Sequence, residues 1–315
     1  MFIKKMWNKW REPKPFNQGY LPIADGHEVW FAEYGNAHGE PILLTHGGPG
    51  GSCRASKALN FNLKKYRVIM FDQRGCGNSK PFGALENNTT HDILFDIDRL
   101  LSYLKIEDKV ILSGGSWAST IALLYAQHHP EKVKKLILSQ IFLADENNEK
   151  WITEQCSLFY PDKLEQLRKP LQDWQSVSQY YFNQLTSSNK EQQKKALGTY
   201  ACFERVLGSL SPRWRYIEEV DEIELGYARI YAQYDAYHYY LKNNEIMRNV
   251  KKIEHIPTLI VHNRLDMVCP LQGAYELSKK MKHCKLVIVA EKGHVGNLLY
   301  KTIAAETKSF LMTDN

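Results

Sequence analysis

The sequence has no Cys-x-x-Cys pair and no cluster of Cys and His at metal-ligand spacing; its six cysteines, at 53, 76, 156, 202, 269 and 284, are scattered. A disulfide framework and a structural zinc site are not indicated, and a reducing cytoplasm is the compartment that fits. Long apolar runs are missing too, none approaching the roughly 20 residues needed to cross a bilayer. Lysines interrupt Met1 to Trp10, so no secretion signal is read there, and a soluble, unprocessed chain is expected. A basic stripe is also absent. Residues 1–16 hold Lys4, Lys5, Lys9, Arg11 and Lys14 against Glu12, which accounts for +4 of the net +6. The remainder is nearly balanced, and nucleic acid is not an expected partner.

At 315 residues, 43% of them apolar, the chain can bury a substantial core and is not disordered. Glycine is scarce in one stretch only: 141–251 holds three of the 19 glycines but 18 of the 37 aromatic residues. That stretch reads as a mostly helical insertion with few tight turns. On its N-terminal side, Pro41–Thr45 and Arg67–Phe71 are short apolar runs ending in glycine-rich turns, as buried parallel strands do. A helix is expected from Asp92 to Leu104, capped by Thr89 or Thr90, with Ile93, Leu94, Ile97, Leu100, Leu101 and Leu104 on one face. Strand Val110–Ser113, helix Trp117–His128 and strand Lys135–Ser139 follow. Beyond the insertion come strand Thr258–Asn263, a helix near Gln272–Met281, strand Leu286–Ala290 and a helix from about Val295. This alternation predicts an α/β fold with a mostly parallel sheet covered on both faces. The expected divisions are an extension at 1–16, core at 17–140 and 252–315, and a helical cap at 141–251. In the extension, Phe2, Ile3, Met6, Trp7 and Trp10 would share one helical face, too short to be stable alone.

Gly114-Gly115-Ser116-Trp117-Ala118 lies between a predicted strand and a predicted helix. A serine hydroxyl becomes a nucleophile when a strained turn exposes it beside a base, and small residues around it let strand and helix approach. Ala118 stands where glycine is usual, which predicts crowding but not loss of the turn. By itself the pentapeptide is equally compatible with an ordinary glycine-rich connection. His46-Gly47-Gly48-Pro49-Gly50 follows a strand where a loop can offer backbone N–H to an oxyanion, and the Gly48 and Trp117 N–H groups are the expected donors. Asp266 and His294 each follow a later strand, at the sheet end where open parallel sheets present functional groups. The order Ser116, Asp266, His294 is that of a nucleophile, acid and base on such a sheet. His46 is read as shaping its loop, and Asp72, opening Asp72–Ser79, as satisfying loop backbone.

Together His46–Gly50, Asp72–Ser79, Gly114–Thr120, Asn263–Pro270 and Gly293-His294 resemble the prolyl iminopeptidases of the α/β-hydrolase superfamily, over nearly the whole chain from Gly19. The resemblance implies an α/β-hydrolase fold and a cofactor-free, metal-free serine aminopeptidase acting on peptides with a free N-terminus. It implies a cap that binds the substrate amine with carboxylates and the pyrrolidine with aromatic rings: Glu204 for the amine, with Phe142 and Trp151 at family aromatic positions. Four positions depart. Ser139 and Gln140 replace an arginine and a glycine, Tyr231 replaces a second amine-binding glutamate, and Asp235 stands where an aromatic is expected. Losing one carboxylate weakens amine selection unless Asp235 substitutes, because a buried ammonium needs paired negative charge. Two other readings stay open: an esterase or amidase on the same scaffold, and a non-catalytic binding protein. Cys269 is expected near the site, but not as the nucleophile. Oligomeric state is not legible.

Overall fold

The computed structural model describes residues 12–23, 25–173, 175–210 and 219–312. The amphipathic face expected within 1–10 lies outside them. Eight strands form one sheet: β1 (Asn17–Pro22), β2 (Glu28–Gly35), β3 (Glu40–Thr45), β4 (Tyr66–Phe71), β5 (Val110–Ser116), β6 (Val133–Ile141), β7 (Thr258–Leu265) and β8 (Cys284–Lys292). Their order is β1-β2-β4-β3-β5-β6-β7-β8. β2 runs antiparallel to both neighbours, and β4, β3, β5, β6, β7 and β8 are mutually parallel.

Apart from the half-exposed edge strand β8, the parallel strands are buried on both faces, and alternate residues feed two cores. Leu43, Ile69, Leu112, Leu138 and Ile260 point to one side; Ile42, Val68, Ile111, Ile137 and Leu259 point to the other. The first side is packed by α1 (Thr90–Tyr103), α2 (Trp117–His128) and α10 (Leu271–Lys280), the second by α11 (Asn297–Phe310) and the short turn Ala55–Asn60. Thr89 caps α1 reciprocally: its side chain accepts from the Asp92 N–H while the Asp92 carboxylate accepts from the Thr89 N–H at 2.9 Å. Helix α2 ends at His128, before Pro130. Between β6 and β7 every described element is a helix or helical turn: α3 (Glu146–Thr153), α4 (Pro161–Arg168), α5 (Val177–Thr186), α6 (Lys190–Ala196), α7 (Cys202–Ser209), α8 (Glu222–Ala236) and α9 (Glu245–Arg248) among them. This block packs over the C-terminal ends of the parallel strands. No helix among the described residues is long and apolar enough to cross a membrane.

Strands β1 and β2 were not expected from the sequence. β1 is largely exposed, and β2 carries a buried charge, Glu33, which Arg67 meets at 2.5 Å. A second buried charge ties the loop after β4 to its surroundings. The Arg74 guanidinium donates twice to Asp96, at 2.6 and 2.9 Å, and once each to Asp25 and the Asn87 carbonyl at 2.6 Å. Arg74 and Asp96 are each about 1% exposed, so removing one partner strands a charge in the interior. Arg74→Met should lower stability by about 3–5 kcal/mol in urea unfolding; a loss below about 1 kcal/mol would show that the network is not structural.

Candidate active site

Ser116 closes β5 with φ 59° and ψ −134°, a left-handed backbone that non-glycine residues adopt only under constraint. The constraint is close packing of strand on helix. A Cβ built at Gly114 would lie 2.3 Å from the Ala118 carbonyl, and one at Gly115 would lie 2.5 Å from the Ser139 hydroxyl. Ala118 itself fits, with its methyl 3.0 Å from that Gly114 position. The one-methyl departure at 118 is therefore accommodated because 114 has no side chain. The Ser119 hydroxyl donates to the Ser116 carbonyl at 2.7 Å, bracing the turn from inside α2.

His294 enters the same cleft from the loop between β8 and α11. Its Nδ1 lies 2.8 Å from Asp266 Oδ2, and its side chain is 13% exposed while that of Asp266 is fully covered. The other Asp266 oxygen accepts the N–H groups of Val268 and Cys269 at 3.0 and 2.9 Å. Burial alone would push the Asp266 carboxyl up, but the facing imidazole and these donors hold it below its ordinary value. An ionised Asp266 fixes the proton on His294 Nδ1 and leaves Nε2 as the basic nitrogen. Burial pulls His294 down, and the Asp266 charge outweighs it, leaving the imidazole above its usual value. Two further bonds hold the loop: the His294 N–H donates to the Gly208 carbonyl at 2.8 Å, and Gln140 Nε2 donates to the His294 carbonyl at 2.5 Å. Beneath them His262 accepts the Ile141 N–H at Nδ1 and donates from Nε2 to the Cys269 carbonyl at 2.8 Å.

The glycine loop after β3 lies against the nucleophile, a Cβ at Gly47 falling 3.4 Å from that of Ser116. Gly48 has φ +126°. His46 accepts the Gln73 N–H at Nε2 and so donates from Nδ1 to the Gly47 carbonyl at 2.8 Å, a loop-shaping role. Gln73 also accepts the Trp117 indole N–H at 2.9 Å and donates to the His46 carbonyl at 3.0 Å. One side chain thus ties together the two segments expected to supply the oxyanion donors. Asp72 is wholly buried and accepts from Cys53 N, Asn78 N and Asn78 Nδ2, a staple of loop backbone.

These segments surround a cleft of about 620 Å³ lined by Ser116, His294, Gly48, Tyr227 and Glu204. Among the described residues Glu204 is its only acidic lining residue. Burial pushes that carboxyl up to about 7, although the His294 charge and the Tyr227 hydroxyl, 3.5 Å away, pull the other way. Glu204 also faces a small inner compartment with Tyr231, Asp235, Tyr200, Phe203 and Val268. There the Asp235 carboxylate accepts the Tyr200 hydroxyl and, at 3.4 Å, that of Tyr239; burial raises it to about 6. Glu204, Tyr231 and Asp235 are thus brought together. Phe142 and Trp151 line neither space. Phe142 is buried edge-on against Tyr239, their centroids 5.0 Å apart, and Trp151 donates its indole N–H to the Met267 carbonyl at 2.7 Å. The Cys269 thiol is within hydrogen-bond reach of Ser116. Burial, then the Asp266 and Glu204 charges, push that thiol up, so it stays protonated and is not the nucleophile. Among the described residues no group of three His, Cys, Asp or Glu could hold a metal ion.

The α/β hydrolase fold family matches residues 40–299. The chain is 35% identical over 291 residues to a proline iminopeptidase of Arabidopsis thaliana, covering 90% of this chain and 76% of that one. It is 36% identical to the proline iminopeptidase of a Neisseria meningitidis serogroup A strain, covering 89% and 91%. The chain belongs to the proline iminopeptidase family of α/β hydrolases. Solved structures share the fold at lower identity. A haloalkane dehalogenase from Bradyrhizobium elkanii is 16% identical with a TM-score of 0.62, covering 94% and 97%. An epoxide hydrolase from Vigna radiata is 15% identical with a TM-score of 0.58, also covering 94% and 97%.

For a proline iminopeptidase family member the departures at 139 and 140 acquire a physical meaning. Gln140 has φ 49°, the left-handed region that favours the glycine expected there. The glutamine is held by its bond to the His294 carbonyl and by the Ser139 hydroxyl, which donates to Gln140 Oε1 at 3.3 Å. Tyr227 and Tyr200 were not singled out in the sequence, each standing in no motif; Gln140 was noted only as a departure from the family and Gln73 only as part of the Asp72–Ser79 turn, neither with the role the structure gives it. Since a methyl at 114 would collide with the Ala118 backbone, Gly114→Ala should cost about 1–3 kcal/mol. It should also remove most activity through loss of the Ser116 turn. Wild-type turnover in a folded Gly114→Ala protein would contradict this account of the elbow.

Proposed function

We propose that the protein is a serine aminopeptidase that releases an N-terminal residue, proline foremost, from peptides through an acyl-enzyme. One observation carries the reading: a left-handed serine and a carboxylate-paired histidine share a cleft in which, among the described residues, the one acidic lining residue is Glu204. Ser116 Oγ attacks the carbonyl of the first residue and gives its proton to His294 Nε2. Asp266 stabilises the imidazolium so formed, and His294 then protonates the departing amine. The Gly48 and Trp117 N–H groups donate to the oxyanion, and water resolves the acyl-enzyme by the same route. No step calls for a metal or an organic cofactor.

Glu204 is the group that makes the site an aminopeptidase. An ammonium beside a carboxylate in a covered cleft is favourable where a neutral acyl chain gains nothing, so the free N-terminus selects the substrate. Asp235 adds negative charge one helical turn beyond Tyr231 on α8, supplying a carboxylate where the family's second glutamate is absent. Phe142 stands behind this wall through Tyr239, and Trp151 holds the segment after Asp266 in place. Both therefore act on the pocket through other residues. The same departures favour one rival, an esterase or amidase with a changed cap. Six free cysteines fit a cytoplasmic location.

Ser116→Ala should lose at least about a thousandfold in kcat on proline 2-naphthylamide; retention of more than a few per cent would remove the serine from the mechanism. Cleavage of the proline compound no faster than the alanine or N-acetylated one would leave the hydrolase and overturn the prolyl assignment. The pH dependence has a definite sign. Glu204, raised to about 7, carries its charge only above that value, and His294 is a free base only above its own raised value. kcat/KM on free-amine substrates should therefore fall as pH drops through about 7. Glu204→Gln should raise KM for free-amine substrates far more than for an acyl ester, and should leave the ester with the His294 limb alone; equal effects on both would show that Glu204 does not read the amine.

A further inference from the structure

The catalytic cleft has a second end. Running from Ser116 past the glycine loop, it is lined by Arg54, Lys57 and Tyr300 as well as by Glu204. Arg54 precedes the turn Ala55–Asn60, which carries Lys57, and Tyr300 lies on α11. The Lys57 ammonium sits over the Tyr300 ring at 4.8 Å. Among the described residues neither cation has an acidic partner within ion-pair distance, whereas Lys132, Lys134, Lys190, Lys282 and Lys285 all do. Two unneutralised cations side by side repel each other. The crowding around Lys57, and then the Arg54 charge, push its ammonium below the ordinary value. An anion in the cleft would relieve that repulsion.

We infer that Arg54 and Lys57 form a receptor for the C-terminal carboxylate of a short peptide, making the cleft complementary to a di- or tripeptide zwitterion. This rests on the aminopeptidase reading of the same cleft. The charges are ordered as the substrate's are. Glu204 stands at the amine end, Ser116 and His294 at the scissile bond, and the cations at the leaving-group end. A volume of about 620 Å³ is in the range of small-ligand pockets. Three extended residues span about 10 Å, so the carboxylate of a tripeptide still falls inside, whereas that of a long chain lies beyond the rim. The guanidinium offers paired donors to a carboxylate, and the lysine adds a point charge. Because solvent reaches both groups, the gain is modest and salt-sensitive.

Binding without turnover tests this separately from catalysis. On a Ser116→Ala background, calorimetry should show Pro-Gly-Gly binding about five- to tenfold more tightly than its C-terminal amide at low salt, with the gap closing in high salt. Adding Arg54→Gln and Lys57→Gln should bring the two affinities together, and Arg54→Lys with Lys57 retained should keep much of the gap. In the catalytically competent chain the same double substitution should bring the acid-to-amide ratio of kcat/KM towards one, with proline 2-naphthylamide turnover reporting that the variant is folded. Equal binding of acid and amide, or a gap that survives the double substitution, overturns the inference and leaves the aminopeptidase reading intact. Failure of either peptide to bind overturns both, and failure to cleave the naphthylamide while the gap persists overturns the aminopeptidase reading alone.

Discussion

The left-handed backbone at Ser116 is the constraint on which the rest of the site depends. A serine in regular strand or helix geometry would point along the sheet or into the core. At φ 59° it stands at the end of a central strand, where α2 begins. That geometry is tolerated because three neighbours are small: glycines at 114 and 115 and an alanine at 118, packed at distances no larger side chain could share. Much of the surrounding polar structure serves to keep partners in register with this one turn. Gln73 joins the Trp117 indole to the glycine loop, and Gln140 joins the end of β6 to the His294 loop.

Electrostatics then divides the labour. Asp266 is wholly covered but given two backbone donors and an imidazole, so it stays ionised and keeps His294 poised as a base. Glu204 and Asp235 are covered with fewer donors, so burial dominates and raises both. The carboxyls on this rim thus titrate differently because of their surroundings alone, Asp266 held below its ordinary value and Glu204 and Asp235 raised above theirs. The helical block between β6 and β7 is coupled to the chemistry by contact. The Gly208 carbonyl on α7 accepts the His294 N–H, and a Cβ at Gly50 would meet the Tyr227 carbonyl of α8 at 2.7 Å.

The parallel core was legible because strands buried on both faces read as unbroken apolar runs between glycine turns, and helices α1 and α2 as capped or proline-stopped segments. β1 and β2 were not, since one is mostly exposed and the other buries Glu33 against Arg67, a charge that no apolar pattern anticipates. Ser116, Asp266 and His294 were readable from order and from their position after strands. Phe142 and Trp151 show the limit of a motif. The sequence identifies the residue type, but whether a ring faces the cleft or stands behind Tyr239 depends on packing between elements a hundred residues apart. The roles of Gln73, Gln140 and Tyr227 were invisible for the same reason: they exist only in the folded contacts.

The central claim, a hydroxyl activated by a distant imidazole and carboxylate, is tested most directly by covalent labelling. A fluorophosphonate should modify the protein once, at Ser116, as mapped by peptide mass spectrometry. The labelling rate should collapse in His294→Ala and fall with pH as the imidazole is protonated. Labelling at another residue, or an undiminished rate without His294, would contradict the account.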